Sequence, residues 1–217
     1  SYQLTTEEKY LYDQVTNYLT QRKEEATEEK NIHVTLALAV MQRRLVSSIF
    51  AIKNTLFKRW NALQGIVDEV NKNPNIWKQR QKLELVDVDN MDQYDDLEDD
   101  EKDALDNILS DPKKFKLFTT SKSLIEIANE AQEVKRLYDI ANQLYNQNQE
   151  EKKYIQLKEL LKSQGVIDGQ KLVIFTEHKD TLLYLQERLT NNGYKVAVIH
   201  GGLSVDDRRA AQWQFMA

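Results

Sequence analysis

The sequence predicts a mostly α-helical protein that continues into a partial α/β unit. Only six Gly and two Pro occur among 217 residues, and helix-forming residues fill most of the chain. Apolar residues recur at helical spacing through most of the first 165 positions, as on the buried side of an amphipathic helix. Beyond residue 170 the pattern changes to two continuous apolar runs of four residues, which are typical of strands buried on both faces.

Composition narrows the class of protein further. Apolar residues make up 41% of the chain and charged residues 30%, so a core can form beneath a charged surface. No apolar run approaches the roughly 18 residues that a membrane span needs. The absence of Cys excludes disulfides and thiolate sites and, with no signal peptide pattern, predicts a cytoplasmic protein. Because the chain starts at Ser1 and stops inside an apolar segment, we interpret it as a piece of a longer protein.

The charge is unevenly distributed. The net charge is -5, yet residues 87–106 hold eleven carboxylates and one Lys. The remaining residues carry 29 basic and 24 acidic side chains, a mildly basic balance that permits binding to a polyanion. We interpret the acidic stretch as a solvated, flexible insertion. An electrostatic mimic of DNA is the alternative, whereas calcium binding is disfavoured because the stretch contains no Gly.

The N-terminal half contains the patterns of long helices. Thr5 with Glu8 forms a capping-box pattern at the start of a helix predicted over about 5–29. A second helical run covers about 32–70, and Ser48 is predicted to cap a new helix after a break in that run.

Two further helices are predicted after the acidic stretch. Ser123 with Glu126 is a second capping-box pattern, and it predicts a helix that runs to about residue 146. A shorter helix is predicted over about 150–162, with Gly165 as its stop.

The remaining residues have the pattern strand, helix, strand, helix. The apolar runs 172–175 and 196–199 are predicted strands, and an amphipathic helix over about 180–192 lies between them. Ser204 opens a last helix. Two strands joined by a helix in this way predict a right-handed βαβ unit with parallel strands.

Candidate functional residues follow the two predicted strands. Thr176, Glu177 and His178 come after the first strand, and Gly201 and Gly202 come after the second. Ligands bind at the carboxyl edge of parallel sheets, and free N–H groups at a helix start attract phosphate. Two interpretations stay open here: a nucleic-acid strand bound across both loops, or simple turns. Metal binding by these loops is a weaker alternative, because the spacing defines no ligand set.

Paired arginines are the other candidates. Arg43 and Arg44 lie in the predicted helical run, and Arg208 and Arg209 lie just inside the last helix. Phosphate contact is one interpretation of these pairs, and an ordinary exposed helix face with local ion pairs is the other.

These residues also carry a resemblance to a known family. Lys-Leu-Val-Ile-Phe-Thr-Glu-His from residue 171, Val-Ile-His-Gly-Gly-Leu-Ser from residue 198 and the following Asp-Asp-Arg-Arg resemble the start of the second RecA-like domain of superfamily-two helicases. More narrowly, they are similar to bacterial Swi/Snf-like translocases, as are segments 4–16 and 42–52. The acidic stretch has no counterpart.

The resemblance implies an organisation and a function. Residues 1–148 would be a helical inter-lobe region that contains the acidic stretch 87–106, and residues 149–217 would be the truncated start of a RecA-like parallel βαβα domain. The implied function is that of an ATP-driven motor on nucleic acid, with DNA favoured over RNA. The residues that would contact nucleic acid are Thr176, Glu177, His178, Gly201, Gly202, Arg208, Arg43 and Arg44.

The resemblance also sets limits on what this chain does. ATP and Mg would be bound by the parent protein, because the phosphate-binding Lys, the acidic Mg-binding motif and the arginine finger of the family are absent here. We therefore expect no cofactor, no catalytic residue and no ATP hydrolysis in this chain alone. An uncovered edge of the two-stranded sheet predicts association between copies.

Two rival functions follow from the same residues. A helical protein-interaction module without a catalytic parent is the alternative, since the apolar stripes of the long helices could bind a partner. A phosphate loop upstream of Ser1 in the full gene would favour the motor. An enzyme that binds a nucleotide or a sugar is disfavoured, because Gly201-Gly202 is too short to be its glycine-rich loop.

Overall fold

A computed structural model describes residues 3–28, 32–75, 119–147, 150–166 and 169–216. Within these ranges the chain is mostly helical, which confirms the predicted class. The prediction for the acidic stretch 87–106 lies outside the described residues. The helices are α1 (Thr6–Glu28), α2 (Ile32–Ser47), α3 (Ile49–Lys72), α4 (Leu124–Asn146), α5 (Lys152–Ser163), α6 (Lys179–Asn191) and α7 (Val205–Met216).

The first four helices share one apolar core. Helix α3 packs along α4, and α1 and α2 pack against each other and against this pair. The core forms because each helix has an apolar stripe at helical spacing, and burying one such side chain contributes about 1.5–3 kcal/mol. The residues at its centre include Leu11, Val15, Leu45, Ile52, Leu56, Leu63, Val134 and Leu137.

The predicted helix caps are confirmed. The Thr5 N–H donates to Glu8 Oε2 at 2.8 Å, and the Glu8 N–H donates to Thr5 Oγ1 at 3.1 Å. Ser48 Oγ accepts from the Ala51 N–H at 3.1 Å, so the predicted break between α2 and α3 is present. Ser123 likewise caps α4 through its side chain. Each cap binds N–H groups that have no partner inside their own helix.

A buried polar network crosses the four-helix core. Glu130 on α4 accepts from Arg59 on α3 at 2.6 Å, from the Tyr18 hydroxyl on α1 at 2.8 Å and from the Thr119 hydroxyl at 2.7 Å. Burial alone would raise the pKa of Glu130, but the charge of Arg59 and these hydrogen bonds outweigh it and hold the pKa at about 2. The network therefore joins three helices through a fully satisfied carboxylate.

A second, smaller core joins α5 and α6 to this bundle. Tyr154 on α5 and Tyr184 on α6 are buried against each other, with ring centroids 6.0 Å apart. Phe50 of α3 and Tyr145 of α4 pack onto the same cluster, and the Phe50 and Tyr184 rings are stacked. The start of α3 therefore lies against the region that the sequence assigned to the α/β unit.

The two predicted strands are wrong for the described residues. Segments 172–175 and 196–199 are irregular, and no backbone hydrogen bond joins them within the described part of the chain. The expected truncated RecA-like βαβα segment is thus not seen. A parallel strand needs neighbours that bond its edges and helices that cover its faces. Here the side chains of 172–175 are exposed instead, with Phe175 at 92%.

Candidate nucleic-acid interface

The break between α2 and α3 holds the start of α6. Arg44, in the last turn of α2, donates to Asp180 at 2.6 Å, and Arg43 donates to Glu177 at 3.0 Å. The hydroxyl of Thr181 lies 2.7 Å from Ser47 Oγ and 3.0 Å from Ser48 Oγ. Residues more than 130 positions apart in sequence are therefore joined at one point.

The two ion pairs differ in their surroundings. The side chain of Arg44 is only 5% exposed and that of Asp180 is 24% exposed, whereas Arg43 and Glu177 are 34% and 39% exposed. An exposed pair contributes about 0–1 kcal/mol, while breaking a buried pair leaves a charge without compensation and costs more. The Arg44–Asp180 pair is thus the principal polar link between α2 and α6.

The loop before α6 is only partly open to solvent. Thr176 is half-buried and Glu177 is exposed, but His178 is 3% exposed. His178 is the N-cap residue of α6 without a side-chain cap hydrogen bond. The side chain of His178 therefore faces protein in this structure, although the sequence predicted a contact with nucleic acid.

The first turn of α6 has two backbone N–H groups without an acceptor among the described residues, although Thr181, one of the two residues, is buried. Within the described residues, no acceptor bonds to the N–H groups of Asp180 and Thr181. These groups lie in the first turn of a 13-residue helix, where the helix dipole attracts anions. The Asp180 carboxylate in the same turn opposes an incoming anion, and its pairing with Arg44 offsets part of that charge.

The turn at Gly201 and Gly202 lies next to the start of α6. A Cβ built on Gly202 would lie 3.5 Å from the His200 ring and 3.7 Å from Lys179 Nζ. Neither Gly201 nor Gly202 has a positive φ, so the backbone conformation alone does not require glycine there. The structure thus brings the two predicted loops together, with the ammonium group of Lys179 between them.

The arginines of α7 are placed differently from each other. Arg208 donates to the carbonyl of Gly201 at 2.6 Å and so braces the glycine turn. Arg209 lies 3.9 Å from Asp206, with both side chains largely exposed. Arg208 is exposed and keeps its guanidinium at the predicted loop.

Sequence reasoning missed several residues of this junction. Lys179 directly follows the recognised Thr-Glu-His motif, and its basic charge was the signal that could have identified it. Asp180 and Thr181 had the signal of a polar first helical turn. The hydroxyl contacts of Ser47 and Ser48 with Thr181 had no sequence signal, because they depend on how distant helices pack.

Comparisons with known proteins assign no family to this chain. No family profile matches the chain, and no curated protein or solved structure is significantly similar to it. Among the described residues, no three His, Asp or Glu side chains converge as a metal site would require. In the same part of the chain, no helix combines the length and the hydropathy that crossing a bilayer would need.

Proposed function

We propose that this chain is part of an ATP-dependent nucleic-acid helicase or translocase of the superfamily-two, Swi/Snf-like kind. In this proposal residues 1–148 form the helical bridge between the motor's lobes, and the loops at 176–178 and 201–202 contact the nucleic-acid backbone. The observation that carries the proposal is the junction of α2, α3 and α6, where Arg43 and Arg44 bind the segment that contains the helicase-like motif.

The junction supports a mechanical role. A motor must transmit the movement of its nucleic-acid-binding loops to rigid elements. Helices α3 and α4 have 24 and 23 residues, which corresponds to roughly 35 Å each. The buried Arg44–Asp180 pair and the Ser48–Thr181 hydroxyl contact link α6 to the first turn of α3. Movement of the motif loop would thus reach the whole four-helix region.

The neighbouring loops support a role in phosphate contact. The Lys179 ammonium lies at the Gly201-Gly202 turn, and the N–H groups of the next two residues, Asp180 and Thr181, have no acceptor among the described residues. Phosphate contacts of this kind give affinity and register without base specificity. We favour DNA over RNA as the substrate, with ATP and Mg bound by the rest of the parent motor rather than by this chain.

A helical protein-interaction module is the second candidate. It is favoured by one observation, the exposed apolar side chains of α7, where Trp213 and Met216 are 75% and 77% exposed. On a monomeric surface such a concentration of large apolar side chains marks an interaction site. In this case the chain would bind a protein partner, and nucleic acid would bind weakly or not at all.

A salt-titrated binding assay tests the proposal. Fluorescence anisotropy with labelled duplex DNA, single-stranded DNA and RNA should give binding at low salt, and log K should fall linearly with log salt concentration. Lys179→Ala should weaken binding equally for all sequences and reduce the slope by about 1. Lys9→Ala, an exposed lysine on α1 far along the chain from both loops, is the matched control.

Two outcomes would contradict the proposal. A chain that binds no nucleic acid at low salt, or binds it with a slope near zero, would favour the interaction module. Nucleic-acid-stimulated ATP hydrolysis by the purified chain alone would contradict the assignment of ATP and Mg to the rest of the motor.

A further inference from the structure

Residues 171–177 form a mostly exposed segment with an apolar centre at 172–175 and a charged residue at each end. Val173 is 60% exposed and Phe175 is 92% exposed, and Leu172 and Ile174 are exposed as well. Within the described residues, no hydrogen bond involves the backbone of 172–175. These are strongly β-forming residues, and open N–H and C=O groups beside them are a template for pairing with another chain.

The charges at the two ends of this segment are complementary to a second copy. If two copies pair antiparallel about Ile174, Lys171 of each lies directly opposite Glu177 of the other. Side chains alternate between faces, so the same face also sets Val173 opposite Phe175. Opposite charges and aromatic–aliphatic pairs at directly facing positions stabilise antiparallel strands.

The side chains on the other face of the ribbon are also compatible with antiparallel pairing. It brings Ile174 against itself and Leu172 opposite Thr176, so no charge lies on it. Parallel in-register pairing would instead set Lys171 against Lys171 and Glu177 against Glu177, and like charges at facing positions are destabilising. The segment therefore favours one register and one orientation.

We propose that the chain self-associates through residues 171–177, which pair antiparallel with the same residues of a second copy. Both charged ends remain able to make the contact. Glu177 uses only Oε1 for Arg43, and Oε2 has no partner among the described residues. Lys171 is exposed and donates to the carbonyl of Met216 at 2.6 Å, an exposed contact that an approaching carboxylate can replace.

Helix α7 extends the contact surface. The Lys171 ammonium lies 5.8 Å from the centre of the Phe215 ring as well as on the Met216 carbonyl, so the end of α7 adjoins the segment. Met216 at this end of α7 and Trp213 on the same helix add exposed apolar area. This area matters because a two-stranded ribbon without a covering layer is only marginally stable.

Charge reversal in a pair of variants tests this proposal. Sedimentation velocity over the micromolar range should show concentration-dependent dimers of the unaltered chain. Lys171→Glu sets two glutamates opposite each other at both ends of the ribbon, and Glu177→Lys does the same with two lysines. Each variant alone should dimerise about tenfold more weakly, while circular dichroism should show unchanged helicity.

Mixing the two single variants is the decisive experiment. A Lys171→Glu chain and a Glu177→Lys chain are complementary to each other at both ends, so their equimolar mixture should dimerise about as well as the unaltered chain, although each variant alone dimerises about tenfold more weakly. The double variant K171E/E177K should also regain dimerisation. Lys195→Glu is the control, because it makes the same charge reversal at an exposed lysine outside the segment. It should leave dimerisation unchanged.

The result that overturns the proposal is equally clear. A chain that stays monomeric at every concentration, or single variants that dimerise as well as the unaltered chain, would exclude this interface. So would a mixture that remains monomeric while the unaltered chain dimerises. The proposal rests on the exposed segment and its end charges and not on nucleic-acid binding. Sedimentation without nucleic acid tests self-association alone, and the anisotropy titration tests nucleic-acid binding separately.

Discussion

At the residue scale, Glu151 is a buried titratable group that joins the start of α5 to the start of α3. It is the N-cap residue of α5, and its Oε2 accepts from the Ile49 N–H at 3.2 Å, at the first turn of α3. Oε1 is buried without a hydrogen-bond partner among the described residues. Burial raises the pKa of Glu151 to about 7, although the Ile49 hydrogen bond and the Lys153 charge oppose the shift and the Glu8 charge adds to it.

Glu151→Gln should change how stability depends on pH. Because the folded pKa lies above the ordinary value of 4.5, the folded chain retains this proton longer than the unfolded chain. The Glu151 contribution therefore lowers stability as pH rises from 4.5 to about 7, and its full cost is present above that range. Gln cannot ionise but can still accept from Ile49. In urea unfolding we expect the variant to be more stable than the unaltered chain by roughly 1–3 kcal/mol near pH 8.

The same comparison near pH 4.5 should show little difference, because Glu151 is then protonated in the folded chain and only about half ionised in the unfolded one. Glu159→Gln removes an exposed carboxylate of the same helix and serves as the control for the loss of one acidic side chain. An unaltered pH profile in Glu151→Gln would show that the Glu151 carboxyl ionises normally.

At the element scale, α6 depends on α2 and α3 for its position. It contacts α3, and its first turn is bound by Arg44 through Asp180 and by the two serines of the α2–α3 break through Thr181. The remainder of α6 is amphipathic, and Tyr184 and Leu189 anchor it in the small second core. The polar contacts therefore decide how firmly the first turn is held.

Arg44→Ala should release the first turn of α6 while the four-helix core stays folded. Loss of the guanidinium leaves Asp180 half-enclosed without its partner, which should cost about 2 kcal/mol locally. Hydrogen exchange of the α6 amides should accelerate by roughly thirtyfold, with α3 and α4 unchanged.

Arg43→Ala is the matched control, because the Arg43–Glu177 pair is largely exposed. It should change exchange in α6 less than about threefold. Equal effects of the two substitutions would contradict the distinction between a buried and an exposed pair.

At the scale of the whole molecule, stability is divided between well-packed helices and segments with an open backbone. Helices α1–α4 share one core and the buried Glu130 network. In contrast, 172–175 and 196–199 make no backbone hydrogen bond to one another, and the side chains of 172–175 are exposed. The molecule should therefore not behave as one uniformly protected unit.

Hydrogen exchange at low protein concentration should reveal two classes of amide. Those of α1–α4 should exchange only by large-scale opening, whereas the amides of 172–175 should exchange nearly as fast as in an unfolded peptide. If the chain dimerises through 171–177, raising its concentration should slow exchange there and nowhere in α1 or α2. Strong protection of 172–175 in a dilute monomer would instead indicate a sheet that is not present among the described residues.

The helices could be predicted because their signals are local. Thr5 with Glu8, Ser48 and Ser123 specify helix starts through hydrogen bonds that span only three residues, and all were confirmed. The predicted strands failed for the opposite reason. Segment 172–175 has the composition of a strand, but a strand's hydrogen bonds come from a neighbour that the segment cannot specify.

In the candidate site, too, local features could be predicted from the sequence and contacts between distant residues could not. The sequence identified Glu177, Arg43 and the glycine turn by residue type and motif. The packing of α6 on the α2–α3 break then decided that Arg43 and Arg44 bind carboxylates 134 and 136 positions away, and that His178 is buried. Arg43 and Arg44 were expected to contact nucleic acid. Instead, Arg43 binds Glu177 of the predicted loop and Arg44 binds Asp180 just after that loop.

By itself the sequence determined the mostly helical class, the helix boundaries and the uneven distribution of charge. The tertiary structure decided that the α2–α3 break meets α6, that Glu130 is satisfied at the centre of the bundle, and that the apolar segment at 171–177 remains uncovered. The physical reason is the separation along the chain of the residues that interact. Helical hydrogen bonds and caps join residues three or four positions apart, whereas burial, ion pairing and strand formation depend on partners that only the folded chain, or a second chain, supplies.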